Sequence, residues 1–545
     1  MKNHFITFFI IFLFAPTVWA NDIYYEISHN QSVAQIQTEL QNVIHNAADN
    51  DKIIVTGTKT NADATLSLNI PIHKIVQWHA IYQSNSSIGS STLIALSGDG
   101  IFEVLDGTLI TANGNTINVT SASLTVVVSG AGKVQTSGDG AHAITTLGNV
   151  EIKDNAEISG TTGEVIETTG DNSVVTVSGG SVTATSENAI IARGINAKVF
   201  VSGGVLSNTA TADYSVIYMR NENNNAMNLI ISGTGKVLAP IEGNSIYTYG
   251  SVEIKDSAYL FSAKKNVICT GSTTPTNTVI KIGGTSMLES TGSGYSTIYT
   301  YGNVEIKDNA YVSAANSYAI NSRGKFTTIL ISGTSKVVSS GIYSAIFLFS
   351  SNTVEIIDNA QVIAKNNPVA ISEYYNGFGN VVVSGGAVFA VTDDIATVVS
   401  CSIFAEPKKN GIILSWNREA GNTNYEGFTT DDILKLPDFA TAHWDRKGGE
   451  HGIFYANGEN TGFIPLNVSV LSIEEPLLPN LTVYPNPVSN ILHIETNNMA
   501  PEIKVYSIQG VLLLQTKGNE IDMSSLAKGI YFAEIDGVCR KVVKQ

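Results

Sequence analysis

The sequence predicts an all-β chain, most of it a right-handed parallel β-helix, and three observations carry that expectation. The first is a phrase that returns: Val150-Glu151-Ile152-Lys153-Asp154-Asn155-Ala156 recurs from Val252 to Ala258, from Val304 to Ala310 and, degraded, from Val354 to Ala360. The second is an interleaved phrase with the same apolar skeleton, as in Val126-Val127-Val128-Ser129-Gly130, Val175 to Gly179, Val199 to Gly203, Leu229 to Gly233, Ile329 to Gly333 and Val381 to Gly385. The residue after the apolar triplet falls at 129, 153, 178, 202, 232, 255, 283, 307, 332, 357 and 384, so both phrases mark one position of one repeat. A step of about 25 residues belongs to solenoid architectures. The third is a landmark of a small or β-branched residue, Ile, three variable residues and usually Gly, as from Ala143 to Gly148, Val165 to Gly170, Ser245 to Gly250 and Thr297 to Gly302.

Both landmarks alternate apolar and polar residues, and so does a third stretch such as Ala156-Glu157-Ile158 or Ala310-Tyr311-Val312. Period-two alternation with β-branched residues and Gly, Asn and Ser punctuation marks short strands. Three strands per coil, each pairing with the next coil, stack their inward residues into one core. Helical repeats need apolar residues three and four apart and tolerate less Gly and Thr. Propeller blades need roughly 40 residues per unit.

Taken in order, residues 1–20 carry Lys2, an apolar run from Phe5 to Phe14 and Val18-Trp19-Ala20, the pattern of a cleaved secretory signal. Residues 21–100 hold an N-terminal cap and the first coils. Val33, Ile36, Leu40 and Val43 lie at helical spacing after Ser32, a good N-cap, and one amphipathic helix suits the open end of a solenoid. Strand-like runs follow at Lys52 to Val55 and Ile72 to Tyr82, and the regular coils occupy 101–398. In 399–470 the period is lost and a β-rich cap is expected, with a polar loop around Trp444. Residues 471–480 read as a linker because Pro476 and Pro479 interrupt an acidic stretch.

Charged residues are 14% of the chain, the formal balance is −16, and 43% of residues are hydrophobic. Clustered Lys and Arg are missing, which argues against nucleic acid as a partner. The hydrophobic content is enough to bury a core, so the low charge does not signal disorder. After the leader, no stretch reaches the roughly 18 apolar residues of a membrane span. Cys269, Cys401 and Cys539 are too few and too scattered for a disulfide framework, and the sequence does not choose a pair among them.

Residues 481–545 carry Val483-Tyr484-Pro485-Asn486-Pro487-Val488, then Ile503 to Gly510, then Met523 to Leu526 with Lys528-Gly529-Ile530-Tyr531-Phe532, and a basic end at Arg540 to Lys544. From the residues alone these are alternating strands with a turn near Gly510 and a Pro-Asn-Pro edge, which predicts a small β-sandwich. In their order they resemble type IX secretion C-terminal sorting domains of type A. That resemblance implies the type IX secretion machinery as partner, a destination outside the cell or on the outer-membrane surface, and removal of the module by a cut between Leu471 and about Val483. It also marks Tyr484, Pro485, Asn486, Pro487, Gly510, Gly529 and Tyr531 as the sorting motif.

An exported β-helix raises the question of polysaccharide cleavage, which needs a general acid and a base or nucleophile flanking one bond. In a solenoid such a pair appears as acids at matching positions on neighbouring coils. Glu151, Glu253, Glu305 and Glu355 share a position, but Thr176, Ile230, Lys281, Leu330 and Val382 occupy it on the coils beside them, so it reads as a solvated ladder. Asp154, Asp256, Asp308 and Asp358 precede Asn or Ser at a corner, where an Asx side chain bonds its own turn and Gly serves on alternate coils. His443-Trp444-Asp445-Arg446-Lys447 with Glu450-His451 fits no standard metal-ligand spacing. The Asp and Gly-His-Gly signatures of polygalacturonases are missing as a set, and neither a cofactor nor a metal is expected.

A different pattern lies beside the Ile landmark. With Ile facing the core, the residues one and three further along share the outer face. Those columns read Thr145/Leu147, Glu167/Thr169, Ile191/Arg193, Tyr218/Arg220, Tyr247/Tyr249, Cys269/Gly271, Tyr299/Tyr301, Asn321/Arg323, Phe347/Phe349 and Ser372/Tyr374. Aromatic pairs thus recur on alternate coils, with Arg323 between Tyr301 and Phe349. Such a face suits sugar stacking. The candidate ligand-binding residues are Tyr218, Tyr247, Tyr249, Tyr299, Tyr301, Arg323, Phe347, Phe349 and Tyr374. The expectation is a non-catalytic, exported glycan-binding or adhesive protein, with a β-helix lyase or glycoside hydrolase and a structural surface-layer protein as alternatives.

Overall fold

A computed structural model describes residues 21–220, 228–271, 278–374, 379–384, 386–390 and 398–399, the strands 404–408, 412–416, 441–447, 450–457 and 460–465, and then 482–495, 501–507, 512–535 and 538–545. The expected leader and linker, together with Cys401 and Gly510, lie outside these residues, as does the side chain of Cys539. Residues 1–466 and 467–545 are two compact units.

The first unit is a parallel β-solenoid over residues 52–390. Each coil contributes one strand to each of three ladders, here called A, B and C, as in Asn149–Ile152, Glu157–Gly160 and Ile166–Thr168. Ladder C contains thirteen strands, from Leu66–Ile70 to Ile371–Glu373. In ladder A the two interleaved phrases fall in one register: Val126, Val150, Val175, Val199, Leu229, Val252, Ile280, Val304, Ile329, Val354 and Val381 pair in succession. The inward Ile152, Ile254, Ile306 and Ile356 are completely buried in one hydrophobic core. On the outer side, Glu253, Lys281 and Glu305 are successive partners, with a Lys281–Glu305 ion pair at 4.0 Å, which is the solvated ladder expected. The longest step, 202 to 232, divides its extra residues between the B–C and the C–A connections, while the step 255 to 283 places them between its C strand and the following A strand.

The corner between ladders A and B corrects the expected Asp chemistry. Asp154, Asp256, Asp308 and Asp358 sit at φ of 58 to 61°, the left-handed region where Asp and Gly are tolerated. Their carboxylates do not bond their own turn. Each Oδ2 accepts from a Gly amide of the preceding coil: Gly130 to Asp154 at 3.0 Å, Gly233 to Asp256 at 2.9 Å, Gly284 to Asp308 at 2.9 Å and Gly333 to Asp358 at 3.1 Å. Alternation of Asp and Gly is therefore an inter-coil contact. The landmark Gly has a separate cause: a Cβ on Gly148 would lie 2.0 Å from the Leu124 carbonyl oxygen of the preceding coil, and one on Gly302 2.6 Å from that of Thr278, while the inward Thr two residues earlier accepts from the Gly amide, at 2.8 Å in Thr146 and 2.9 Å in Thr300.

At the N-terminal end, helix α1 (Val33–Asn46) starts at Ser32 with a capping box to Gln35. Its buried face is Val33, Ile36, Leu40 and Ile44, and Val43, expected on that face, is only partly buried. The fourth contact falls four residues after Leu40, where the helix returns to the same azimuth. One strand that periodicity did not reveal and two side chains of this helix seal the open ladders. Asp22–Ile27 pairs in parallel with Lys52–Gly57 at the edge of ladder A. Gln37 Oε1 accepts from the Ser67 amide at 2.9 Å, while Gln41 accepts from the Asn69 amide at 2.8 Å and donates to the Asn69 carbonyl at 2.9 Å. These amides stand in for the strand that would precede Leu66–Ile70, removing a template for edge-to-edge pairing.

At the other end, Phe404–Lys408 and Ile412–Trp416 extend ladders A and B. Thr441–Lys447 adds in parallel to Ile412–Trp416, and Glu450–Asn457 and Asn460–Pro465 follow antiparallel. The His443–Lys447 stretch, expected as a loop, is thus a strand whose hairpin register sets Arg446 opposite His451 and Lys447 opposite Glu450.

The second unit is a two-sheet sandwich. Thr482–Tyr484, Ile491–Glu495 and Glu520–Asp522 form one sheet, and Glu502–Tyr506, Leu512–Lys517, Gly529–Ile535 and Val538–Lys544 the other. Leu492, Ile494, Ile503, Val505, Ala533 and Val542 from both sheets share one core.

Candidate functional site

From Ile117 onward the outer face of ladder C is assembled by strands only three residues long, in the phase the Ile landmark implies. Ile190, Ile217, Ile246, Ile268, Ile298, Ile320 and Ile346 are completely buried. Tyr218, Tyr247, Cys269, Tyr299, Asn321 and Phe347 are successive partners along the column that follows them. The aromatic side chains are half-buried rather than freely exposed, except Phe349 at 38% and Tyr374 at 47% exposure, and Asn321, between Tyr299 and Phe347, is buried.

The rings tile on one another. Tyr218 and Tyr247 meet edge to face at 5.2 Å, Tyr247 and Tyr249 at 5.6 Å, and Tyr299 and Tyr301 at 5.9 Å. Coils lie about 4.8 Å apart, too close for tilted ring pairs on every coil. The small residues between make the room: a Cβ on Gly271 would lie 2.1 Å from the Tyr249 ring. Burial, followed by the bond to the Tyr301 hydroxyl, pushes the Tyr299 phenol up to about 12, and burial likewise raises Tyr247.

Arg323 occupies the gap between the coils of Tyr299 and Phe347. Its guanidinium carbon lies 5.6 Å from the Tyr299 ring centre, 5.3 Å from Phe347 and 5.1 Å from Phe349. Of the two rings that flank it in its own column, Phe349 is in contact with the guanidinium, and Tyr299 rather than Tyr301 supplies the ring on the other side. Phe349 and Tyr374 then stack at 5.2 Å with 12° between their planes. Counting only residues after the Ile missed two aromatics before it. Tyr318 packs on Phe347 at 4.8 Å and on Tyr343 at 5.1 Å, and Tyr343 lines a cleft of about 540 Å³ with Ser293, Asn316, Ser340 and Asn366.

Earlier coils of the same face carry a charged cluster that was also missed. His142 Nδ1 lies 3.3 Å from Glu164 and Nε2 3.5 Å from Glu167, while Arg193 binds Glu167 at 2.8 Å and Glu164 at 3.4 Å. Glu167 and Arg193 stood in the outer columns, but Glu164 and Glu187 precede their Ile and were not counted. Burial, then a hydrogen bond to Glu164, pushes the Glu187 carboxyl up to about 7. Glu164 and Glu187 come from adjacent coils, yet a hydrogen bond apart they leave no room for a glycosidic bond, which needs carboxyls roughly 5 to 9.5 Å apart. The cluster reads as a locally neutralised tile.

A pH dependence follows. Because the folded pKa of Glu187 lies above its unfolded value, its stabilising proton is fully present below about pH 4.5 and lost as pH rises through about 7. Melting temperature should fall between pH 5 and pH 8 by an amount that Glu187→Gln removes. Solvent screening limits the contribution to about 1 kcal/mol or less. Parallel slopes in parent and variant would show that Glu187 is not the titrating group.

In the second unit, the Pro-Asn-Pro segment is exposed, with Tyr484 at 48%, and Asn486 Oδ1 accepts from the Val543 amide at 2.9 Å. Tyr531 is buried, and its hydroxyl donates to the Ala527 carbonyl at 2.8 Å. Gly529 begins the strand that carries Tyr531.

Residues 482–545 match the secretion system C-terminal sorting domain family. No curated protein and no solved structure matches the chain. The protein is a β-solenoid delivered to the cell surface or beyond by the type IX secretion machinery. Among the described residues no helix is long and apolar enough to cross a membrane, and no group of three His, Cys, Asp or Glu side chains is placed to hold a metal ion.

Proposed function

We propose that the aromatic face of ladder C binds glycans, and that the exported solenoid acts as a non-catalytic adhesive or glycan-capturing protein, freed of residues 1–20 and of its sorting domain by cleavage. The observation that supports this is the run from Tyr299 and Tyr301 through Arg323 to the exposed, stacked Phe349 and Tyr374. Apolar faces of sugar rings stack on such side chains, and the polar cleft beside Tyr343 offers hydrogen bonds to hydroxyls. Folding alone does not call for large apolar rings left open to water at the end of this column.

Replacing Tyr299 and Tyr301 together by Ala is expected to lower retention on immobilised polysaccharide several-fold. The fold should persist, because the inner Ile298 and Thr300 of that coil remain. Unfolding of the double variant, or unchanged retention, would identify the rings as a stability ladder.

A further inference from the structure

Arg193, Arg220 and Arg323 hold the same position on ladder C, three residues after the landmark Ile, and Arg220 is exposed. Arg193 is neutralised by Glu164 and Glu167. Arg323 has no carboxylate of the described residues within ion-pair distance, and its buried Nε has no acceptor. Its immediate surroundings are three aromatic rings and the buried Asn321, whose Oδ1 is also without a partner. From Tyr218 to Tyr374 the two outer columns contain no Asp or Glu, although the protein as a whole carries −16. A guanidinium does not shed its charge by deprotonation, and its planar fork matches a carboxylate. At Arg323 the face therefore presents a fixed, uncompensated cation inside an aromatic frame.

We propose that Arg323 is the specificity-determining residue of this face and selects polysaccharides that carry carboxylates, a uronic acid placing its carboxylate on the guanidinium while neighbouring sugar rings lie on Tyr301, Phe349 and Tyr374. This rests on the glycan-binding reading. Aromatic stacking alone is indifferent to charge, whereas a charge-assisted bond to Arg323 is available only to the acid. The open cleft beside Tyr343, reached through Tyr318 and Phe347, continues the track for further sugar units.

The test uses the mature full-length protein and two probes, an oligogalacturonate and the same oligomer after methyl esterification, which keeps the rings and removes the charge. Calorimetric titration of the parent should show the acid bound about tenfold or more tightly than the ester. R323Q should bind acid and ester alike, at about the parent's affinity for the ester, and R323K should keep only part of the preference. If R323Q does not fold, R323K against the parent supplies the comparison, since it keeps the charge and loses the fork. Equal binding of both probes by the parent overturns charge selection and leaves the aromatic reading intact. A preference unchanged in R323Q and R323K overturns the role of Arg323. Binding of neither probe overturns both readings.

Discussion

Ile254→Asp is expected to destabilise the solenoid by more than about 4 kcal/mol. Ile254 is completely buried and lies between Ile231 and Ile282 on the inner row of ladder A. The substitution removes a core side chain and places a carboxylate where the surrounding inward row offers only hydrocarbon, so the charge is either unpaired or neutralised at a cost of several kcal/mol. Because each coil touches only its neighbours, the damage divides the stack at this coil instead of being absorbed by a globular core. Glu151→Ala, one residue out of phase on an exposed position, should change stability by about 0.5 kcal/mol or less. Chemical denaturation of the two variants reads the strand phase directly. A tolerated Ile254→Asp with a damaging Glu151→Ala would turn the aromatic columns into core.

The second large effect is expected at a corner. Gly284 has φ +66°, and a Cβ there would lie 2.5 Å from the carbonyl oxygen of Asp256 on the preceding coil. Gly284→Ala therefore meets left-handed strain and a backbone clash together, for a loss of about 2–4 kcal/mol. Asp308→Gly keeps the allowed backbone and loses only the hydrogen bond from the Gly284 amide, worth about 1 kcal/mol. Melting temperatures should rank the parent first, then Asp308→Gly, then Gly284→Ala. Equal losses would mean that alternation of Asp and Gly is set by the hydrogen bond and not by the close approach of the two backbones.

The aromatic face was legible because a strand has a period of two and the landmark Ile fixed its phase: Tyr247, Tyr299 and Phe347 followed from counting. His142, Glu164 and Glu187 of the charged cluster and the Tyr318–Tyr343 pair were not, since they precede the strand, where the chain turns and the period of two no longer applies. The Asp corners show the same limit. Their position was visible as a repeat, but a carboxylate at a turn can bond its own amides or those of the preceding coil, and only the stacking distance chooses.

By itself the sequence determined the solenoid, its coil length, its inward Ile and Val rows and the sorting domain. Each of these rests on a local pattern repeated many times or on a contiguous motif, and repetition averages out exceptions. The tertiary structure decided what meets across coils: Gln37 and Gln41 sealing the first C strand, Glu187 sharing a hydrogen bond with Glu164, and Arg323 lying on Tyr299 and Phe347 with no acid beside it. Those contacts join residues some 20 to 30 positions apart through side-chain rotamers and the stacking distance between coils, and neither quantity is written in the periodicity of the chain.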